Sequence, residues 1–158
     1  MISFNIQDHR FQLRAAAICF RNDNAEVLLH RLDGDLIWAL PGGRVEPGEN
    51  AASTVVREMQ EEIGEAITCE RLLFVVENFY VDRSMPNHEV GFYFLAGLSA
   101  SSKLLHATES QFGVEGDKRL EFRWFATSQL ASCNLYPAFL RTALREPLSP
   151  FQHIVQRD

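Results

Sequence analysis

The segment PGGRVEPGEN, residues 41–50, separates the short apolar run LIWAL (36–40) from a stretch with a helical pattern that begins at Ala51. It contains two adjacent glycines, a second Pro-Gly pair and two glutamates. Proline and glycine interrupt strands and helices, so this composition predicts a turn-rich loop between a strand and a helix. The adjacent glycines also allow the backbone to approach a ligand closely. We therefore expect the loop to present backbone atoms next to the helix that follows.

The helix is predicted from about Asn50 to Ile63, with Gly64 placed to cap its C-terminus. Glu58, Glu61 and Glu62 lie at i, i+3 and i+4, where like charges repel by a few tenths of a kcal/mol per pair. One interpretation is a solvated acidic face, the usual role of a charge cluster. The other is a site for a hard divalent cation such as Mg²⁺ or Mn²⁺, which prefers carboxylate oxygens.

The residues around the cluster favour the cation site. Arg57 precedes Glu58 and can hold a carboxylate in a bidentate pair. Glu49 lies at the start of the helix, where its carboxylate can meet both the helix dipole and a returning arginine. A solvated acidic face requires neither residue.

This pattern resembles the signature of the Nudix hydrolases, the Nudix box. Gly43 is followed by five residues and Glu49, then by seven residues and REMQEEIG, residues 57–64. Every charged and glycine position of the pattern is present, and the box spans residues 43–65. The departure is Glu65, where the family usually has an apolar residue. The segments WALPGG, HEVGFYFL and FRWFATSQL also resemble the family.

The resemblance implies the roles of the site residues. It assigns metal binding, with Mg²⁺ as the expected ion and Mn²⁺ as a substitute, to the Gly42 carbonyl and to three carboxylates. It also implies that Arg57 orients Glu58 and that Glu49 holds Arg57. The implied metal ligands are Gly42, Glu58, Glu61 and Glu62.

The implied reaction is hydrolysis of a nucleoside diphosphate linked to a further group, with water attacking phosphorus. Metal ions lower the pKa of bound water and neutralise phosphate charge, but the water still needs a base. Glu58 and Glu62 are candidates on the helix. Outside it we favour Glu115, in the glycine-flanked segment VEGDK, over Glu109 and Glu121. For any single loop glutamate, plain surface solvation remains the alternative.

Three residues outside the box are candidates for contact with the substrate. Tyr80 is a candidate for stacking on a base, His88 for binding phosphate, and Asn134 resembles the asparagine that reads oxidised guanine in MutT-like members. Each has a structural alternative: a core aromatic, a solvated histidine and a helix cap. A MutT-like nucleoside triphosphate pyrophosphohydrolase acting on nucleotides such as 8-oxo-dGTP therefore remains an alternative. A non-catalytic ligand-binding regulator is a further alternative, although none of the box glutamates is lost.

The predicted fold is α+β, an α/β/α sandwich with a mixed sheet flanked by helices. Strands are expected at 10–20, 25–31, 36–40, 71–81, 89–98 and 120–126, with loops at 82–88 and 99–118. A short helical turn capped by Thr127 and a helix from about Tyr136 should follow, with Pro137 in the first turn of that helix. We expect one domain over residues 1–158, with residues 146–158 as a surface extension.

Composition limits the classes of partner and compartment. Of the 158 residues 46% are hydrophobic and 23% charged, as in ordinary globular proteins. The net charge of -6 argues against a stable nucleic-acid complex and against a cap hydrolase. The three cysteines lack metal-ligand spacing, and no signal peptide or membrane span is recognisable. We therefore expect a cytoplasmic monomer or homodimer with a small nucleotide substrate.

Overall fold

The computed structural model describes residues 1–158 and contains nine strands, two α-helices and one 3₁₀ helix. Helix α1 is Ala51–Ile63, α2 is Leu140–Ala143, and the 3₁₀ helix is Thr127–Ser132. None of these helices has the length and apolar character needed to cross a membrane. The strands are β1 (Ser3–Ile6), β2 (His9–Arg21), β3 (Glu26–Leu32), β4 (Gly42–Arg44), β5 (Ile67–Asp82), β6 (Met85–Leu98), β7 (Gln111–Glu115), β8 (Lys118–Ala126) and β9 (Gln152–Arg157).

The strands form one mixed sheet in the order β7-β8-β3-β2-β6-β5-β9. The β2–β6 and β5–β9 pairs are parallel, whereas the other pairs are antiparallel. Strands β1 and β4 lie off this path, and each pairs with β2. The predicted α+β class with a mixed sheet is confirmed.

The central strand β2 explains where the sheet opens. One edge of β2 pairs with β6 from Arg10 to Cys19. The opposite edge pairs with β1 and then with β4, and meets β3 only at Phe20 and Arg21. Strand β3 therefore diverges from β2, and the chain between β3 and β4 returns beside the opening.

The sheet is covered on both faces because β2 is buried on both. Successive side chains of Ala15–Cys19 point into two different core clusters, one on each face of the sheet. This part of the sequence is continuously apolar for that reason. One cluster contains Val55 and Met59 of α1. The other contains Leu130 of the 3₁₀ helix and Leu140 of α2. Helices thus flank the sheet on both sides, as predicted.

Helix α1 has the predicted boundaries, and its caps account for them. The Asn50 side chain accepts a hydrogen bond from the Ser53 backbone N–H at 2.9 Å, which satisfies one free donor of the first turn. Gly64 adopts the left-handed conformation (φ 71°), and its N–H donates to the Gln60 carbonyl at 3.0 Å. This conformation is readily available to glycine, so the helix ends there.

Two predictions for the middle of the chain were wrong, one of a strand and one of a loop. Residues 36–40 form no strand, because only single bridges join Ala39 to His30 and Trp38 to Leu135, and the strand begins at Gly42 instead. The expected loop at 82–88 is mostly strand, because β5 and β6 join through a tight turn at Arg83 and Ser84, both with positive φ.

The C-terminal half contains further differences from the prediction. The expected loop at 99–118 includes β7, which pairs with β8. Thr127 does not cap a helix, since its hydroxyl donates to the carbonyls of Asn24 and Ala25. The last helix begins at Leu140 rather than near Tyr136. The tail 146–158 is not a mere surface extension, because β9 extends the sheet by parallel pairing with β5, although most of its side chains are exposed.

Strand β7 packs so closely on α1 that only glycine fits at residue 113. A Cβ added to Gly113 would lie 2.0 Å from the Glu62 carbonyl oxygen, a backbone atom that cannot move alone. We predict that Gly113→Ala lowers the free energy of unfolding by about 1–3 kcal/mol, the usual range for overpacking. Urea denaturation followed by circular dichroism measures this change.

Gly97→Ala is the matched control for this prediction. It adds the same methyl to a strand glycine whose nearest contact is the flexible Glu70 carboxylate at 3.2 Å. Its stability should stay within about 0.5 kcal/mol of the parent protein. Equal stability of the two variants would contradict the close packing of β7 on α1.

Candidate functional site

The Arg57 guanidinium joins the loop 41–50 to helix α1. Its Nε and Nη2 donate to the two Glu49 carboxylate oxygens at 2.9 and 3.0 Å, a bidentate pair. Its Nη1 donates to Glu58 at 2.8 Å and to Glu61 at 3.1 Å, and Nη2 also donates to the Arg44 carbonyl at 3.3 Å. One side chain therefore contacts β4, the loop and two of the helix carboxylates.

Glu49 is held from several directions. Besides Arg57, the Thr54 hydroxyl donates to Glu49 at 2.7 Å and the Glu46 backbone N–H at 3.2 Å. The bonds from Arg57, aided by Thr54 and Glu46, lower the pKa of the Glu49 carboxyl to about 2 against the opposing effect of burial. The same pair raises the pKa of Arg57. Glu49 and Arg57 are therefore both charged at every physiological pH.

Glu58 lies between Arg57 and the backbone of Gly43. A Cβ added to Gly43 would stand 2.2 Å from the Glu58 carboxyl carbon, so the carboxylate occupies the space a side chain would fill. Burial raises the pKa of Glu58, with Arg57 opposing and the neighbouring Glu62 and Glu61 adding to the rise. The glycine in this part of the loop is thus required by the approach of a helix carboxylate.

Glu62 is the buried member of the acidic cluster. Its side chain is 4% exposed, and Oε2 has no hydrogen-bond partner. The nearest cationic candidate is His30, whose Nδ1 lies 3.5 Å away and is itself without a partner. A buried unpaired carboxylate oxygen is destabilising by a few kcal/mol unless something binds it.

A cavity of about 710 Å³ opens where β3 diverges from β2. Glu62, His30 and Gly42 line it, so the unpaired Glu62 oxygen belongs to a residue on its wall. Tyr136 and Pro137 line it from the segment before α2. The volume is in the range of small-molecule sites.

Polar side chains from β2, β5 and β6 also line the cavity, and the sequence prediction missed all but Tyr80. Gln12, Asn78 and Glu89 are at most 7% exposed. Burial raises the pKa of Glu89 against the effect of Arg14, and burial together with Glu89 raises the pKa of Tyr80 to about 12. Their signal in the sequence is a polar residue at alternate positions of otherwise buried strands, which a search for motifs overlooks.

Arg14 and Arg44 form a second group in the cavity. They are directly paired across β2 and β4, so their side chains leave the same face of the sheet as neighbours. Neither forms an ion pair with a carboxylate; Arg14 donates to the Leu40 carbonyl at 3.0 Å. Like charges placed directly opposite destabilise a sheet, and a bound anion would remove that repulsion.

The structure brings some of the predicted site residues to the cavity and leaves others away from it. Glu115 and Tyr80 line it, together with Gly42 and Glu62. His88 instead packs between Phe79 (ring centroids 4.4 Å apart) and Phe11, on the side of β6 opposite Glu89. Asn134 donates from Nδ2 to the Leu36 carbonyl at 3.0 Å, so it supports the chain beside the cavity and is not part of its wall.

The other candidate bases are placed less favourably than Glu115. Glu121 accepts bonds from Arg31 at 2.8 Å and from Ser110. Burial would raise the pKa of Glu121, but these bonds outweigh it and hold the pKa below the ordinary value. Glu109 is exposed and does not line the cavity.

The helix carboxylates fit a divalent cation in chemistry, although they are not gathered into a preformed cage. No three histidine, cysteine, aspartate or glutamate side chains converge on one point. Arg57 lies between Glu58 and Glu61, while Glu62 is a lining residue of the cavity and has an unpaired, buried oxygen. That oxygen is the observation that fits a hard cation, because carboxylate oxygens are the preferred ligands of Mg²⁺ and Mn²⁺.

Comparisons with known proteins show which family and fold this chain resembles. The family model for the NUDIX domain matches residues 11–146, which is most of the chain. An 8-oxo-dGTP diphosphatase from Proteus vulgaris is 32% identical over 76 residues, covering 47% of this chain and 68% of that protein. Diphosphoinositol polyphosphate phosphohydrolase 2 from Mus musculus is 42% identical over 72 residues, covering 43% of this chain and 39% of that protein. The chain thus spans about two fifths of the mouse protein's length.

A solved structure shows the same fold over nearly the whole chain. It is an ADP-ribose pyrophosphatase from Streptococcus suis 89-1591, with a TM-score of 0.62 and 18% sequence identity. The superposition covers 92% of this chain and 98% of that one. At this identity the likeness concerns the fold.

The Glu49–Arg57 pair predicts how stability depends on pH. The pKa of Glu49 is about 2 in the folded protein and has the ordinary value of 4.5 in the unfolded chain. The ionised carboxylate therefore stabilises the fold fully above pH 4.5, and this stabilisation is lost as the pH falls toward 2. Glu49→Gln should therefore lower the free energy of unfolding by about 1–3 kcal/mol at pH 7 and by much less at pH 3. Urea denaturation at both pH values measures the difference.

Glu109→Gln is the control, since Glu109 is exposed and forms no ion pair. It should change stability little at either pH. If Glu49→Gln lowers the free energy of unfolding as much at pH 3 as at pH 7, the charge of the carboxylate is not what stabilises the pair.

Proposed function

The chain belongs to the NUDIX domain family, and from that membership we propose that it is a pyrophosphohydrolase. The proposed reaction is attack of water at phosphorus in a nucleoside diphosphate linked to a further group. The observation that carries the proposal is the buried, unpaired carboxylate oxygen of Glu62 at the wall of the cavity. A binding module with no catalytic role has no need to keep such an unfavourable group.

We propose that Glu58, Glu61, Glu62 and the Gly42 carbonyl hold Mg²⁺, with Mn²⁺ as a substitute. A divalent cation held there would supply charge neutralisation at the phosphoryl oxygens and a more acidic water. Arg57, fixed by Glu49, holds Glu58 and Glu61 in position before any ligand binds. The Gly43 backbone provides the space that the Glu58 carboxylate occupies.

The side chains of the cavity have separate tasks in the proposed reaction. Arg14 and Arg44 are the groups suited to bind the phosphates, because they are neighbouring cations on one face of the sheet that line the cavity and form no direct salt bridge. Glu115 is the proposed acceptor of the proton from water. It borders the same cavity as Glu62 from the end of β7, and it has no ion-pair partner to weaken it as a base.

The charge of the cavity bears on the substrate. Six acidic side chains line it and only three arginines do, and one of these, Arg31, is already paired with Glu121. A densely phosphorylated inositol would meet strong repulsion there, whereas a nucleotide with one pyrophosphate places its charge near Arg14 and Arg44. We therefore propose a nucleotide substrate, either linked to another group or, as in the Proteus relative, a triphosphate.

The three cysteines are free, which suits a reducing compartment. We accordingly propose a cytoplasmic location. An excess of acidic over basic residues supports a small-molecule substrate over nucleic acid.

The role of Glu62 predicts a loss of activity without a loss of stability. Glu62→Gln keeps the shape of the side chain and removes its charge, so Mg²⁺-dependent release of phosphate-containing products should fall at least about 100-fold. Because Oε2 accepts no hydrogen bond and has only the His30 ring nitrogen beside it at 3.5 Å, the free energy of unfolding should change little or rise. A nucleotide hydrolysis assay and urea denaturation measure the two effects.

Glu70→Gln is the matched control, an exposed glutamate outside the cavity, and it should change neither quantity. Near-normal activity of Glu62→Gln would remove Glu62 from the proposed metal site. A large fall in stability would assign it to a structural role instead.

The bond that breaks can be identified by isotope labelling. In ¹⁸O-labelled water the label should enter one phosphate-containing product and never a sugar carbon, because the proposed site stabilises charge on phosphoryl oxygens. A nucleoside triphosphate should give monophosphate and pyrophosphate, and a linked substrate should give nucleoside monophosphate and the phosphorylated group. Mass spectrometry detects the label. Release of free base, or of inorganic phosphate alone, would contradict the proposed bond.

A further inference from the structure

The floor of the cavity contains a polar cluster formed by Gln12, Asn78, Tyr80 and Glu89. The strand register explains why these residues meet: Glu89 of β6 lies directly opposite Gln12 of β2 on one side and Asn78 of β5 on the other. Tyr80 follows Asn78 on the same face of β5 and lines the same cavity. Three adjacent strands therefore deliver neighbouring polar groups to one place.

The hydrogen bonds within the polar cluster fix its orientation. The Gln12 side-chain NH₂ donates to the Tyr80 hydroxyl at 2.6 Å and to Glu89 Oε2 at 2.8 Å. Both hydrogens of this amide are thereby used, and Gln12 Oε1 accepts no bond from the protein. The amide can reverse only by losing both bonds.

The polar cluster is left with more acceptors than donors. Asn78 is 6% exposed, and its Oδ1 is buried without any partner. Glu89 Oε2 accepts a bond from Gln12 at 2.8 Å, and the Asn78 side chain also hydrogen-bonds the Glu89 carboxylate. Together with Gln12 Oε1, the cluster thus offers oxygen atoms of two side chains, Gln12 and Asn78, that no protein group binds. Such atoms are destabilising when buried, so they point to a ligand that supplies hydrogens.

The surrounding residues define what such a ligand can be. Arg14 is in the next row of β2 and offsets the charge of Glu89, so the cluster does not require a cation. A further phosphate would meet the Glu89 carboxylate directly. A neutral group with N–H or O–H donors fits the polar cluster best.

We propose that the polar cluster selects the part of the substrate remote from the pyrophosphate, and that it requires two or more neighbouring N–H or O–H donors there. This inference rests on the proposed function only in taking a nucleotide as the ligand. The donors belong either to the edge of a purine base or to the hydroxyl pair of a ribose. The two sources can be distinguished, because binding weakens when a base amino group is removed in the first case and when a ribose hydroxyl is removed in the second. Asn78 and Glu89 are specificity residues in this proposal and take no part in breaking the bond.

The test measures binding of nucleotides that cannot be cleaved. The α,β-methylene analogues of GTP, ITP, ATP, purine riboside triphosphate and dATP are titrated by calorimetry into the protein with Mg²⁺. GTP against ITP removes the 2-amino group, ATP against purine riboside triphosphate removes the 6-amino group, and ATP against dATP removes the 2′-hydroxyl. At least one deletion should weaken binding by about 10-fold to 100-fold, because it leaves buried acceptors unpaired.

Two variants assign this discrimination to the polar cluster. Glu89→Gln replaces an acceptor oxygen with a donor, and Asn78→Ala removes the unpaired acceptor. For the pair of analogues that the parent protein distinguishes, each variant should reduce the ratio of the two dissociation constants to below about threefold. Asn78→Ala also removes the side-chain hydrogen bond to Glu89, so its stability is measured beside its binding ratios.

Asn87→Ala is the matched control. Asn87 is an equally buried asparagine on the same face of β6, but it donates to the Met85 carbonyl at 2.7 Å and does not line the cavity. This variant should lose stability and keep the ratios of the parent protein. Equal binding of every analogue by the parent, ratios unchanged in both cluster variants, or no binding at all would each overturn the proposal.

The same experiment separates this proposal from the proposed function. Binding with the expected ratios, combined with no turnover of the cleavable parent nucleotides, would support the polar cluster and overturn the hydrolase. Turnover combined with binding ratios that do not change in the Asn78 and Glu89 variants would support the hydrolase and overturn the role of the polar cluster.

Discussion

The bidentate pair between Arg57 and Glu49 is the interaction on which the site depends. A loop with two Pro-Gly pairs would otherwise be free to sample many conformations, and a helix with three clustered glutamates would repel itself. Arg57 removes both difficulties, because the same guanidinium binds the loop through Glu49 and the helix through Glu58 and Glu61. Its bond to the Arg44 carbonyl extends the connection to β4. The position of the loop relative to the helix is therefore set by one charged side chain.

The sequence was sufficient for the elements whose determinants are local. Helix α1 could be predicted to within one residue at its start and correctly at its end, because Asn50 and Gly64 supply caps that act within one turn. The expected strand at 36–40 and the expected extension at 146–158 failed for the opposite reason. Both depend on which distant strand offers a free edge, and β9 forms only because β5 has one. Which strands pair in this way cannot be predicted from residues that are neighbours in the sequence.

The candidate site shows the same division. The box residues follow from spacing along one helix, but their burial does not: Val56 of this helix is 40% exposed, whereas Glu62 is buried. Close packing of β7 against the C-terminal end of α1, at Gly113, contributes to this arrangement, and β7 itself was not foreseen. Gln12 and Glu89 were missed because they are 77 residues apart and become neighbours only through parallel strand pairing.

That parallel pairing also bears on how the protein folds. Strands β5 and β6 form a long hairpin through a two-residue turn, so their contacts are local and can form early. Strand β2 must instead pair with residues of β6 that lie 77 positions further along the chain, and closing so long a loop is entropically unfavourable until many contacts form together. The cavity lies on this late junction. A chain in which only the hairpin has formed would have two neighbouring strands and their turn in place, yet no cavity between the strands.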